Sequence, residues 1–338
     1  MDMALRPMST SQVLDRTFYL YRKHFVLFAG IAVITPALKL IAMLIQLRVF
    51  GPLTMPQQPD AITPQFMQAF MIRSAIAFVA AAGIYVIGTA VASSATAYAV
   101  SMVHLGKTTT IAEAYTRVKP ILGRIIGLLL LLLLFIFGPL FGGYIVFVML
   151  AVGGVLLGGS SGGGAVVTFL LAMLLGLAFI GGAIFWILFA TCRYALAVPA
   201  CTVENLPATY ALKRSSFLTN GAKWGILGIL LLTWLMGFIL TGVLQAPVLM
   251  GNSSALLTGK GVVSTGAMIW SYIANFLGGT LAGPIATVAL ALVYYDQRVR
   301  KEAFDLQLMM EAIGQPAPAI PTSPAAAPAT PPPPPPIG

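Results

Sequence analysis

Few side chains in this sequence combine reactive groups with a spacing that supports chemistry. Residues 158 to 162, GGSSG, match the G-x-S-x-G nucleophile pattern. That pattern requires a strand-to-helix turn and a histidine later in the chain. Here it lies in a glycine-rich turn, and both histidines, His24 and His104, come before it. We interpret the match as a coincidence of composition and predict no catalytic residue and no enzymatic activity.

The spacing of the histidine and cysteine residues does not indicate a metal site or a redox site. His24 and His104 stand among basic residues without carboxylates at ligand spacing. Cys192 and Cys201 show no metal or redox spacing, so we interpret them as a reduced pair of small apolar side chains. The sequence predicts no metal and no cofactor.

Lys39 is the only charged residue well inside an apolar stretch. An ionisable residue within a membrane span is a functional candidate, because its burial in lipid is unfavourable. No acidic residue lies at comparable depth to pair with it. Two interpretations remain: Lys39 contacts an anionic headgroup or ligand, or it extends its stem toward the headgroups on the far side.

The elements that must position these residues are apolar helices. Of the 338 residues, 59% are hydrophobic and 8% are charged, against about 25% charged in soluble domains. Apolar runs are continuous, which excludes the alternation of a membrane β-barrel. We predict an all-α integral membrane bundle of about six transmembrane helices, over residues 25–47, 72–103, 121–148, 166–198, 224–249 and 268–295.

Short helices at the cytoplasmic membrane interface are predicted before the odd-numbered spans. Leu14, Phe18, Tyr21 and Phe25 repeat at helical spacing, and Ile111, Tyr115, Val118 and Leu122 follow the same pattern. We divide the chain into an N-terminal segment (1–24), a six-span membrane domain with a cytoplasmic helical extension (25–310), and a disordered Pro/Ala-rich cytoplasmic tail (311–338).

The net charge of +10 reflects membrane orientation and does not indicate nucleic-acid binding. Fifteen basic residues lie on one side of the predicted spans, and only Arg48, Arg73 and Lys260 lie on the other. The positive-inside rule then places both termini in the cytoplasm. We predict a multi-pass membrane protein.

Basic residues recur at the beginning of each odd-numbered span. Arg16 and Lys23, Arg117 and Arg124, and Arg214 and Lys223 are spaced similarly. This pattern fits three copies of an interfacial helix followed by a helical hairpin, but any protein with a cytoplasmic N-terminus places basic residues there. The predicted contacts with anionic lipid are Lys39, Arg16, Arg22, Lys23, Arg117, Arg124, Arg214 and Lys223.

Three segments together resemble a known family. They are RPMSTSQVLDRTFYLYRKHFVLFAGI near the start, RYALAVPACTVEN followed by ALKRSSFLTNG in the centre, and LVYYDQRVRKEAFDLQ near the end. They are similar to bacterial glycerophosphoryl diester phosphodiesterase membrane-domain proteins. The resemblance implies the membrane architecture and a location in the bacterial inner membrane. It does not imply the activity in the family name, because the soluble catalytic barrel of the larger members has no counterpart here.

Two functions remain open at this point. The first is a non-catalytic membrane module that interacts with anionic lipid headgroups or acts as a scaffold. The alternative is a transporter or permease for a small or anionic substrate, which would use proline-broken helices and Lys39. Small-residue helix faces, such as Gly279 to Gly283, are compatible with homo- or hetero-oligomers.

Overall fold

The structure, a computed structural model, describes residues 8–50, 63–104, 106–157, 162–251 and 265–302. The chain divides into a large unit, residues 8–295, and a second unit that contains both termini. We number the helices α1 Thr10–Lys23, α2 Phe25–Ala32, α3 Ile34–Phe50, α4 Pro64–His104, α5 Ile111–Val118, α6 Leu122–Leu157, α7 Gly162–Tyr194, α8 Ala197–Val203, α9 Ala208–Thr219, α10 Lys223–Gly251 and α11 Thr265–Glu302.

The predicted all-α membrane bundle is confirmed. The described residues contain helices and no strands, and six helical segments are long and apolar enough to cross a membrane. The chain is therefore a multi-pass membrane protein. The six segments are 25–49, 64–104, 111–149, 173–203, 223–251 and 266–302.

Two spans that the sequence predicts as continuous are interrupted. The first span changes from α2 to α3 at Val33, and the fourth changes from α7 to α8 at Ala195 and Leu196. Each interruption comes shortly before a proline, Pro36 or Pro199. Proline has no amide hydrogen for the helical ladder, and its ring clashes with the preceding turn.

The packed core of the large unit lies at its basic end. We define the basic end as α1, α5 and α9 together with the ends of the long helices that adjoin them. In α4 the buried side chains begin at Val86 and continue through Val100, whereas Phe78 and Val79 are largely exposed. Exposed apolar side chains over the other half fit a surface that faces lipid. The close packing at the basic end depends on small residues, mainly alanine, serine and threonine.

The predicted apolar faces of the short helices coincide only in part with the faces buried in the protein. In α5 the predicted Val118 is buried. In α1 the buried residues are Val13, Thr17 and Leu20, while the predicted Phe25 begins α2 and is 41% exposed. In α9 the aromatic Phe217 is 54% exposed. Small side chains such as Ala211 permit close helix contact in α9, whereas aromatic residues are buried at other positions, including Phe28 and Tyr294.

A common frame relates the three short helices. Ser9, Thr110 and Pro207 are their N-cap residues. The fourth and eighth residues after each N-cap are buried in all three helices, and the seventh is an arginine. The fourth residues are Val13, Ala114 and Ala211, the eighth are Thr17, Val118 and Ser215, and the arginines are Arg16, Arg117 and Arg214. Because the N-caps and the buried positions coincide, the structure favours an internal repeat. Membrane orientation would explain the basic residues before the odd-numbered spans but not this shared pattern of burial.

Aromatic donors satisfy backbone carbonyls close to the proline kinks. Pro139 leaves the carbonyl of Phe135 without its helical donor, and the indole of Trp186 lies 3.3 Å from that oxygen and 3.2 Å from the oxygen of Ile136. Aromatic donors also bind carbonyls near three other prolines, although these carbonyls stand three or five residues before the proline rather than four. Trp270 donates to Leu244 before Pro247, Tyr21 donates to Leu281 before Pro284, and Tyr115 donates to Ile31 before Pro36.

The small-residue motif of the sixth span makes contacts within the chain. A Cβ atom on Gly279 would lie 3.2 Å from Pro36, and one on Gly278 would overlap the hydroxyl of Thr241. Gly283 has no atom within 4 Å of such a position. The close contacts therefore involve two adjacent glycines and not the predicted G-x-x-x-G pair. Oligomers through other small-residue faces stay a prediction.

The second unit contributes the C-terminal turns of α11. Arg300 lies 2.8 Å from Asp296 and Arg298 lies 3.2 Å from Glu302, both at i,i+4 spacing. The helix continues to Glu302, and the remainder of the predicted extension, residues 303–310, lies outside the described residues. The G-x-S-x-G motif, apart from Gly162, and the tail 311–338 lie outside the described residues.

Candidate functional site

The interruption between α7 and α8 is stabilised by hydroxyl groups of α9. Ser215 donates to the carbonyl of Arg193 at 3.0 Å and accepts the amide of Leu196 at 3.2 Å. Thr219 donates to the same carbonyl of Arg193 at 3.1 Å. Buried backbone groups need partners, and here the side chains of α9 provide them. The helix break therefore has a fixed geometry.

An ion pair follows directly after this break. Arg214 contacts both carboxylate oxygens of Glu204 at 2.9–3.0 Å, with side chains 21% and 18% exposed. The buried hydroxyl of Tyr294 donates to the same carboxylate. Charged bidentate contacts are stronger than neutral hydrogen bonds. This cluster connects α9 and α11 to the segment after α8.

Arg124 is bound to the loop between α8 and α9. Its guanidinium donates at 2.7 Å to both the carbonyl and the side-chain oxygen of Asn205. Asn205 has φ +54°, in the left-handed region that asparagine tolerates better than most residues. Arg124 thus connects the beginning of α6 to this loop.

The predicted lipid-contacting residues fall into distinct environments. Arg214 and Arg124 have protein partners. Arg22, Lys23 and Arg117 are exposed on the basic end. Arg16 lies 5.5 Å from the ring of Tyr19, and the exposed Lys23 lies 5.8 Å from the same ring. Lys223 lies 4.8 Å from the ring of Phe189, and Lys39 is exposed on α3, away from the basic end.

Arg193 is a candidate that the sequence-based selection missed. Its guanidinium lies 5.9 Å from the Phe189 ring, so Arg193 and Lys223 approach the same aromatic side chain. Arg193 stands at the end of α7, within the fourth span, and Lys223 stands at the start of the fifth span. Their position on the same side of the membrane was the signal in the sequence that could have identified Arg193.

His104 and His24 occupy different environments. His104 is buried and stacks on Tyr295 with ring centroids 5.3 Å apart, and the described part of the chain offers neither of its nitrogens a hydrogen-bond partner. His24 contacts Phe28, and partial burial together with the neighbouring Lys23 lowers the pKa of His24 below its usual value.

Metal-binding clusters of three or more suitable side chains are absent from the described residues. Tyr21, which donates to the kinked sixth span, stays a neutral donor because burial raises its pKa. Cys192 and Cys201 are free thiols, both buried. What the basic end can offer a ligand is therefore positive charge, hydrogen-bond donors and aromatic surface.

No protein-family model matches the chain, and comparisons with characterised proteins and with solved structures find no significant match. The resemblance to the glycerophosphoryl diester phosphodiesterase membrane domains stays a prediction. Any function must accordingly be argued from the site itself.

Proposed function

We propose that the protein is a non-catalytic membrane module that binds anionic phospholipid headgroups at its basic end. The observation that carries the proposal is a set of cations exposed on the short helices and their flanks, without ion pairs among the described residues. They are Arg22, Lys23, Arg117 and Lys119. Each basic residue near an anionic membrane surface contributes about 1 kcal/mol of attraction.

The scaffold of the basic end supports this proposal. Arg214 and Arg124 hold the helices together through Glu204 and Asn205, while the exposed cations remain available at the surface. This division separates structural from lipid-contacting arginines. We further propose that this end faces the cytoplasm of a bacterial cell, in accordance with the positive-inside rule.

Transport receives less support. Lys39, the charge on which that alternative depended, is exposed on α3 rather than enclosed in the packed core. A side chain in that position is compatible with snorkelling to the lipid headgroups. We therefore retain lipid binding as the proposed function.

The test compares two pairs of exposed cations at opposite ends of the spans. We would purify the full chain, place it in nanodiscs of mixed phosphatidylglycerol and phosphatidylcholine, and measure the lipids retained. Arg117→Gln/Lys119→Gln should lower phosphatidylglycerol enrichment, by up to about tenfold for two headgroup contacts. Arg48→Gln/Arg73→Gln, which alters exposed cations away from the basic end, should leave enrichment unchanged. Equal loss in both variants, or no enrichment in the wild type, would refute the proposal.

A further inference from the structure

Two cations converge on one aromatic ring at the boundary between the fourth and fifth spans. The ammonium of Lys223 lies 4.8 Å from the Phe189 ring centroid, and the guanidinium carbon of Arg193 lies 5.9 Å from it. The same guanidinium is 5.9 Å from the ring of Tyr194. These distances are within the range of cation–π attraction. The rings offset part of the repulsion between the two positive charges but provide no negative charge.

Neither cation has an acidic partner among the described residues. The Nε atom of Arg193 is buried and has no hydrogen-bond partner. Glu204, the acidic residue closest along the chain, is occupied by Arg214 and Tyr294. A buried guanidinium donor without an acceptor is unfavourable, and a second nearby cation increases the need for an anion.

The surrounding backbone keeps the two side chains in place. Ser215 and Thr219 bind the carbonyl of Arg193 and fix the end of α7. After α9, Gly221 adopts φ +82°, a conformation that glycine accepts readily, and the chain turns into α10 at Lys223. The backbone positions from which the two cationic side chains extend are therefore set by the fold.

Its surroundings match a phospholipid better than a free anion. Trp224, next to Lys223, is 87% exposed, as expected for an aromatic residue at the headgroup level. One turn toward the membrane interior, Phe185 on α7 is 70% exposed. A ligand with a phosphate between the cations can thus extend acyl chains along an apolar helix face.

We propose that Arg193 and Lys223 bind the phosphate of one anionic glycerophospholipid, with Phe189 beneath the headgroup and Phe185 beside the acyl chains. Arg193 donates to the phosphate oxygens through its guanidinium, and Lys223 provides the second charge. This site deepens the proposed function by naming one specific lipid position, which is distinct from the general attraction of Arg117 and Lys119.

The test measures lipid retained by the full chain during detergent exchange at high salt, followed by native mass spectrometry. Salt screens general surface attraction, so a specifically bound lipid should persist. We expect the wild type to retain one phosphatidylglycerol in preference to phosphatidylcholine. Lys223→Gln should weaken retention about tenfold, as expected for the loss of one charge-assisted contact. Arg193→Lys should also weaken it, because lysine lacks the planar fork.

Lys213→Gln is the matched control. Lys213 lies 5.7 Å from the Tyr210 ring and is exposed, but the described residues place no second cation at that ring. This variant should retain lipid as the wild type does. If Lys223→Gln and Arg193→Lys both retain lipid like Lys213→Gln, the site is refuted, whatever happens to the low-salt enrichment that Arg117 and Lys119 support.

Competition separates the lipid from a free anion. Inorganic phosphate or glycerol phosphate, added at millimolar concentration, should not displace the retained lipid or stabilise the delipidated protein to the same extent. Equal stabilisation by either soluble anion would overturn the lipid assignment, because it would show that the acyl chains contribute nothing.

Discussion

Replacement of Glu204 by alanine tests whether the ion-pair cluster stabilises the basic end. The substitution removes the bidentate partner of Arg214 and the acceptor of the buried Tyr294 hydroxyl. An unsatisfied buried hydroxyl costs about 1–3 kcal/mol. Arg214 remains 21% exposed, so loss of its partner should cost about 1 kcal/mol, between the values for surface and buried ion pairs. We expect a total destabilisation of about 2–4 kcal/mol.

The assay is reversible unfolding in detergent micelles, arranged as a double-mutant cycle. Glu204→Ala, Arg214→Gln and the double variant give the coupling energy between the two side chains, which should exceed about 1 kcal/mol. Tyr294→Phe separates the contribution of the hydroxyl. Lys213→Gln, an exposed change on the same helix, should stay within about 0.5 kcal/mol of the wild type. A Glu204→Ala variant as stable as Lys213→Gln, or a coupling energy near zero, would show that the cluster does not hold these helices together.

Three further substitutions test other parts of the structure. Trp186→Phe should destabilise the bundle by about 1 kcal/mol in the same unfolding assay, because it removes the indole donor from a carbonyl next to Pro139. Its control is Trp234→Phe, which alters a 66% exposed side chain and should have little effect. Gly88→Val should destabilise the protein by about 1–3 kcal/mol more than Gly83→Val. A Cβ on Gly88 would lie 3.1 Å from the backbone of Thr35 in the first span, whereas the described residues leave open space around a Cβ on Gly83. Equal stability of the two variants would contradict that contact. The lowered pKa of His24 means that the folded state binds its proton less readily than the unfolded state. Stability should therefore be full above the unfolded pKa of about 6.5 and fall as the pH decreases below it. His24→Gln should reduce that fall in thermal unfolding measured between about pH 8 and pH 5, and an unchanged pH profile would refute the assignment.

The sequence was sufficient to predict the six spans, because continuous apolar runs need no knowledge of their neighbours. It was insufficient for the packing of the short helices. Large aromatic residues such as Phe217 carry the strongest apolar signal, yet the close contacts use Ala211 and Ser215. Hydrophobicity measures preference for lipid as well as for protein, so in a membrane protein it cannot distinguish the packed face of a helix from the face that meets lipid.

The sequence was also insufficient to identify the residues of the candidate site. Basic residues at span boundaries predict headgroup contact collectively, but the sequence does not show which of them have protein partners. Arg124 pairs with Asn205, a residue distant in the chain, so no local pattern could identify the contact. Glu204 was more accessible to reasoning, since it stands ten residues before Arg214 with no other acidic residue nearby. Arg193 was overlooked because its significance depends on Lys223 reaching the same ring.

The common frame of the three short helices gives these assignments a structural basis. Each helix has an arginine at the seventh position after its N-cap, but the three side chains serve different purposes: Arg16 lies near Tyr19, Arg117 is exposed, and Arg214 is held by Glu204. In a repeated unit, equivalent residues can acquire different partners when one copy takes on the role of holding helices together. In the third copy the arginine is occupied by Glu204, and the charge available to a ligand comes instead from Arg193 and Lys223, which flank that copy. Two cations also meet one ring in the first unit, where Arg16 and Lys23 lie 5.5 and 5.8 Å from Tyr19. What distinguishes the anion site proposed at the third unit is the buried Nε of Arg193, which has no hydrogen-bond partner among the described residues.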